Sequence, residues 1–204
     1  MNIVIVVIMI IVDIALLLEI LYFILRKSVI NRLIRAAFEN DDEHFNALCN
    51  SLFGKIVSEF DKKMILYNVA EIRKDSDKME ILIREFEEMD LSDRQKKQIY
   101  PKIFYYYVDK GRNDKAKEYY QKLSVYGVYS NKKDIEMTYD AYIKGGSGYL
   151  DEALKQLNRT PRQDLPAKER LIAKMYENKG INADAKKYRS LADRHEAELK
   201  KKPN

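Results

Sequence analysis

The sequence predicts an all-α protein, a single N-terminal transmembrane helix followed by a solenoid or bundle of about five helix hairpins. Three observations carry that prediction. Residues 3–25 are apolar except for Asp13 and Glu19. Glycine and proline are scarce, seven and four in 204 residues, and they fall between periodic segments. No stretch alternates apolar and polar residues between turn signals, as a sheet would require.

The anchor is assigned to residues 1–27. At 1.5 Å per residue its apolar run reaches about 34 Å, enough to cross a hydrocarbon core of about 30 Å. A cleaved signal peptide needs a basic start, a shorter apolar core and a small-residue cleavage site, and none of these is visible. Each intramembrane acid costs roughly 2.5–3.5 kcal/mol on insertion scales, whereas strongly apolar residues contribute about 0.3–0.6 each, so eighteen of them offset both acids. Asp13 either pairs with a polar residue of a transmembrane partner or is tolerated in protonated form. Glu19 lies about 120° away around the helix and within two turns of Arg26.

Orientation follows from the flanking charge. Arg26, Lys27, Arg32 and Arg35 follow the run before the next acid, Glu39, which places the N-terminus outside and the following domain in the cytoplasm. The same four residues are candidates for contact with anionic lipid headgroups, at roughly 1 kcal/mol each. A lone Cys49 suits a reducing compartment and reads as a small buried residue.

The predicted helices come in pairs. Residues 28–91 hold Ser28–Phe38 with Asp42–Phe53, capped by Asp41 or Asp42, and Val57–Arg73 with Ser76–Met89. Residues 92–199 hold three more pairs. Ser92–Lys110 opens on a Ser-x-x-Gln capping box and precedes Asn113–Ser124. Lys132–Lys144 is followed, after Gly145-Gly146-Ser147-Gly148, by Tyr149–Asn158, and Pro166–Asn178 by Asn182–Leu199. Residues 200–204 form a basic tail.

A repeat shows in the second half. Tyr100, Ile103, Tyr107, Ala116 and Tyr120 are spaced as in the tetratricopeptide repeat, which this segment resembles; Phe104 replaces the usual small residue, and Val128 stands where a proline would close the unit, while Gly111 suits the turn between its two helices. The Gly-x-x-x-x-Ala spacing returns at Gly148/Ala153 and Gly180/Ala185. The resemblance implies a solenoid whose first helices line a groove for a protein or peptide.

Eleven of the fifteen tyrosines lie between Tyr100 and Tyr149, a broad apolar and hydrogen-bonding surface. Tyr100, Tyr107 and Tyr120 occupy core positions of the pattern. Tyr105, Tyr106, Tyr139 and Tyr142 are therefore the expected partner-binding residues. A carboxylate clamp of the kind some tetratricopeptide proteins use finds Lys102, Lys133 and Lys144 but not the accompanying asparagines.

The charge balance argues against nucleic acid as a partner. Charged residues make up 34% of the chain, yet the net charge is only +5, so both signs are interspersed. Chemistry has little footing: His44 and His195 read as surface residues without a nucleophile or metal-ligand spacing, and the Gly145–Gly148 stretch lacks the lysine of a phosphate loop. The expectation is a non-catalytic adaptor without cofactor, or alternatively a regulatory or assembly subunit of a membrane complex engaged through Asp13.

Overall fold

The computed structural model describes residues 3–127, 129 and 131–201, so Met1, Asn2, Val128, Ser130 and residues 202–204 of the basic tail lie outside the described residues. The chain divides into two compact units between Leu91 and Ser92. Among the described residues the regular structure is entirely helical.

The first unit is organised by α1 (Ile3–Glu39), which continues without a break from the apolar N-terminal run into the segment that packs against the following helices. Its 37 residues extend about 55 Å. From Ile5 to Leu25 its side chains are exposed almost throughout, and the helix is long and apolar enough to cross a membrane. Beyond Arg26 the same helix becomes one-sided. Val29, Leu33, Ala36 and Ala37, spaced at i, i+4, i+7 and i+8, are buried, whereas Lys27, Arg32 and Arg35 stay exposed.

That buried stripe forms a core with Phe45 and Leu48 of α2 (Asp42–Asn50), with Val57, and with Ile65 and Val69 of α3 (Glu59–Arg73). The second expected helix ends early, at Asn50. The Ser51 amide and hydroxyl both donate to the Leu48 carbonyl (3.2 and 2.7 Å), stopping the helix, and a short 3₁₀ turn, Phe53–Ile56, follows. Asp41 caps α2 by accepting from the His44 amide at 2.8 Å. Ser58 caps α3 two residues later than expected. α4 (Ser76–Glu88) is capped by Asp75 rather than Ser76. It packs on α3 through edge-to-face contacts of Phe86 with Phe60 (5.6 Å) and Tyr67 (6.3 Å).

In the second unit, α5 (Asp93–Asp109) opens on the expected capping box, with Ser92 and Gln95 exchanging bonds, and packs against α6 (Asn113–Ser124). α7 (Lys132–Thr138) runs into a π-helical segment, Tyr139–Ile143. The remaining helices are α8 (Leu150–Leu157), α9 (Leu165–Asn178) and α10 (Asn182–Lys201). Met137, Ala141, Leu150, Ala153, Leu171, Ile172 and Met175 form one core among them. The Asn178 amide group donates to the carbonyls of Ala141 (2.7 Å) and Gly146 (2.8 Å), satisfying backbone groups that the end of the π-helical segment leaves open.

One turn geometry recurs along the chain. Asn40, Lys74, Gly111 and Gly180 have left-handed φ of 60°, 57°, 64° and 78°. After each, the next amide donates to the carbonyl five residues back: Asp41 to Ala36, Asp75 to Ala70, Arg112 to Tyr107 and Ile181 to Tyr176, all at 2.9–3.0 Å. Five residues past each turn residue stands a buried one, Phe45, Met79, Ala116 or Ala185. Gly145, φ 68°, makes the corresponding turn after the π-helical segment, with the bond lengthened to six residues, Gly146 to Asp140.

A left-handed conformation costs a residue with a Cβ about 1–2 kcal/mol, partly offset by the extra unfolded-state freedom of glycine, about 0.4–1 kcal/mol. Lys74→Gly is expected to stabilise the protein by up to about 1 kcal/mol. At Gly180 a Cβ meets no atom within 4 Å, so Gly180→Ala carries only the conformational term and is expected to destabilise by a similar amount. Thermal unfolding of the detergent-solubilised chain, followed by circular dichroism, reads both signs.

Candidate functional site

The second unit concentrates its tyrosines on α5, α6 and the π-helical segment that follows α7. Phe104 at the buried face of α5 meets Tyr105 edge-on (5.4 Å), while Tyr119 of α6 is fully buried between Tyr100 (5.3 Å) and Tyr107 (5.8 Å). Tyr120 stacks face to face on Tyr139, with ring centres 3.7 Å apart and planes 6° from parallel. This stack joins α6 to the π-helical segment.

Burial sorts the expected partner-binding residues. Tyr106 and Tyr139 are buried in this packing, so they offer no open surface, and Tyr105 and Tyr142 are half-buried. Of the tyrosines expected in the core, Tyr107 is buried, whereas Tyr100 and Tyr120 retain some exposure. Burial pushes the Tyr105 phenol well above its ordinary range; the Asp134 carboxylate adds to the shift and a hydrogen bond with Thr138 opposes it. Burial, aided by Glu136 and Tyr120, holds Tyr129 up at about 12. These phenols stay neutral at physiological pH and serve as packing and hydrogen-bonding surfaces.

Tyr142 borders a cleft of about 440 Å³ lined by Val108, Arg170, Lys174, Glu177, Arg189 and Asp193, among others. The cleft's cations are already engaged. Arg170 pairs with Asp193 (3.1 Å) and Glu196 (2.6 Å), and Glu177 pairs with Arg189 (2.5 Å) and Lys174 (3.5 Å). The Tyr142 hydroxyl donates to the Arg170 carbonyl at 3.5 Å. A cleft with a single phenol and an apolar Val108, rimmed by ion pairs of both signs, suits mixed polar and apolar groups better than a phosphate or other multivalent anion.

Among the clamp candidates, Lys133 is held by Glu152 at 3.2 Å and lies over the Tyr149 ring at 4.6 Å, and Lys144 lies over Tyr139 at 5.5 Å. His195 differs from the expected surface residue. It is half-buried on α10, and its Nδ1 lies 2.9 Å from a carboxylate oxygen of the buried Glu169 on α9. The i,i+3/i+4 spacing on either helix gave no sign of this pairing, because it forms across two elements 26 residues apart. Among the described residues no group of three or more His, Cys, Asp or Glu side chains is arranged to hold a metal ion.

In the first unit, Asp13 and Glu19 are exposed on the apolar part of α1. Arg26 pairs with Asp61 of α3 at 2.7 Å and so turns inward to the protein, while Lys27, Arg32 and Arg35 remain exposed. Neither protein-family models, nor curated proteins, nor solved structures match this chain.

Glu196 supplies a pH dependence with a defined sign. Hydrogen bonds from Lys200 and Arg170 hold its carboxyl down at about 2, against about 4.3 in an unfolded chain. Its contribution to stability is complete above about 4.3 and is lost as pH falls through about 2. Glu196→Gln is therefore expected to flatten the acid decline of the unfolding temperature between pH 5 and 2, read by thermal melts across that range, and to change little at pH 7 beyond a constant offset.

Proposed function

We propose that this chain is a membrane-anchored, non-catalytic adaptor: α1 fixes it in the bilayer with the N-terminus outside, and the cytoplasmic helical domain binds a protein or peptide partner. The observation that carries the reading is the change of character along α1, from a lipid-suited surface at Ile5–Leu25 to a packed stripe from Val29 onward. The basic flank Lys27, Arg32 and Arg35, exposed just past the span, supports a cytoplasmic domain.

The second unit reads as a short solenoid of tetratricopeptide type over residues 92–199. Its support is the shared turn at Gly111 and Gly180, each followed five residues on by a buried alanine that admits close helix approach, and the related turn at Gly145 ahead of the buried Ala153. The cleft beside Tyr142 is the partner site, with Tyr105 as a secondary contact. A photoreactive residue placed at position 142 of the membrane-bound chain is expected to give a discrete crosslinked product that the same residue at the exposed position 125 does not. Identical products from both positions would remove the cleft as the binding site.

A second reading has its own observation. Asp13 lies exposed on the apolar span, where an unpartnered ionisable group is costly, so a polar partner helix at this position would make the chain a regulatory or assembly subunit of a membrane complex. On that reading Asp13→Leu abolishes co-purification of the complex in mild detergent while leaving the unfolding temperature of the domain unchanged; retained co-purification excludes it.

A further inference from the structure

We propose that the turn Ser51–Ile56 is a second membrane contact, with Leu52 and Phe53 seated in the boundary between lipid headgroups and acyl chains. The proposal rests on α1 being a membrane span, and the position of the turn along α1 is what carries it.

Two ties fix the register of α3 beside α1. Near the start of α3, Asp61 accepts from Arg26 at 2.7 Å; at its end, Arg73 donates to the Asn40 side chain at 2.9 Å and to the Phe38 carbonyl. The two helices run in the same direction, and each advances twelve residues between the ties, about 18 Å. The start of α3 therefore lies at the depth of Arg26, the first charged residue past the apolar run. Its end lies about 18 Å farther from the bilayer.

The turn sits at the upper level. α2 leads the chain back from the Asn40 turn, and the turn delivers it to Ser58, three residues before Asp61. Ile56 and Val57 belong to the same core as Val29 and Ile30, within about one helical turn of Arg26. Leu52 is 78% exposed and Phe53 53% exposed. Two adjacent large apolar residues at this depth continue the apolar surface of the span, and Lys55 and Lys27, both exposed, stand where lipid phosphates would lie.

The tip is built to hold its shape. The Ser51 hydroxyl donates to the Leu48 carbonyl at 2.7 Å and accepts from the Gly54 amide at 3.0 Å. Gly54 is buried so tightly against the end of α2 that a Cβ would come within 2.0 Å of the Leu48 oxygen and 2.7 Å of the Cys49 oxygen. The backbone on one side of the tip is thus pressed into the protein, while Leu52 and Phe53 project from it.

The test uses the full chain, with Cys49→Ala, reconstituted in vesicles of phosphatidylcholine and phosphatidylglycerol. An environment-sensitive fluorophore is attached in turn at Leu52→Cys, Phe53→Cys, Leu17→Cys in the span, and Ile72→Cys, an equally apolar and 65% exposed position near the far end of α3. Lipids carrying a quencher near the headgroup or near the chain end report depth. The expected result is blue-shifted emission at 52 and 53, with stronger loss of intensity from the shallow quencher than from the deep one, and water-like unquenched emission at 72. Water-like emission at 52 and 53 with deep quenching at 17 overturns the proposal and leaves the anchor standing. A blue shift at 52 and 53 without lipid quenching assigns them to a protein contact and also overturns it. Absence of quenching at 17 overturns the anchor reading itself.

Discussion

One unbroken helix, apolar all round in its first part and one-sided in its second, is the constraint on which the first unit depends. A helix satisfies its backbone hydrogen bonds internally, which is what the proposed hydrocarbon surroundings of the apolar run would demand. Because α1 continues unbroken past Arg26, its phase and direction are inherited by the domain. Val29, Leu33, Ala36 and Ala37 fall on one face because the rotation of 100° per residue carries through, and α2 and α3 are placed by covering that face. The ion pair of Arg26 with Asp61 then sets α3 in register. Burial of the stripe supplies most of the attraction, while the half-exposed ion pair contributes position more than energy.

The second organising element is a turn rather than a contact. Apart from Asn131, which opens α7, the left-handed residues at 40, 74, 111, 145 and 180 are 34, 37, 34 and 35 residues apart, and each follows the end of a helical segment. Side chains at these positions differ, from asparagine and lysine to glycine, yet the backbone bonds at four of them agree to within 0.1 Å. The repeat therefore lives in backbone geometry. Its fourth instance is altered because the π-helical turn at Tyr139–Ile143 adds a residue to the ring, and Asn178 satisfies the carbonyls left over.

Much of this was legible in the amino-acid sequence. The all-helical content, the apolar span, the Ser92–Gln95 capping box and the glycine turns at 111 and 180 rest on local chemistry with strong signatures. The turn at Lys74 was not visible in the same way, because lysine, unlike the asparagine at position 40, has no preference for left-handed backbone. Ser51 and Gly54, which end α2 early, act through a bond and a close approach that only the folded chain brings together. The tyrosines show the same limit. Periodicity says which face of a helix a residue occupies, but Tyr139 is buried because Tyr120 on another helix lies flat against it. The Glu169–His195 pair likewise joins residues that no spacing rule connects.

The unbroken passage of α1 from span to domain makes the first unit a lever. Without a glycine, proline or loop between Leu25 and Val29, and on the proposed reading of α1 as a membrane span, tilt of its apolar part is transmitted to the helices packed beyond it instead of being absorbed at a joint. An average tilt of about 20° swings the far end of α1, some 20 Å beyond Arg26, sideways by about 7 Å. On the same proposed reading, a change in bilayer thickness that altered tilt would act as a mechanical input to the orientation of the helices packed on α1.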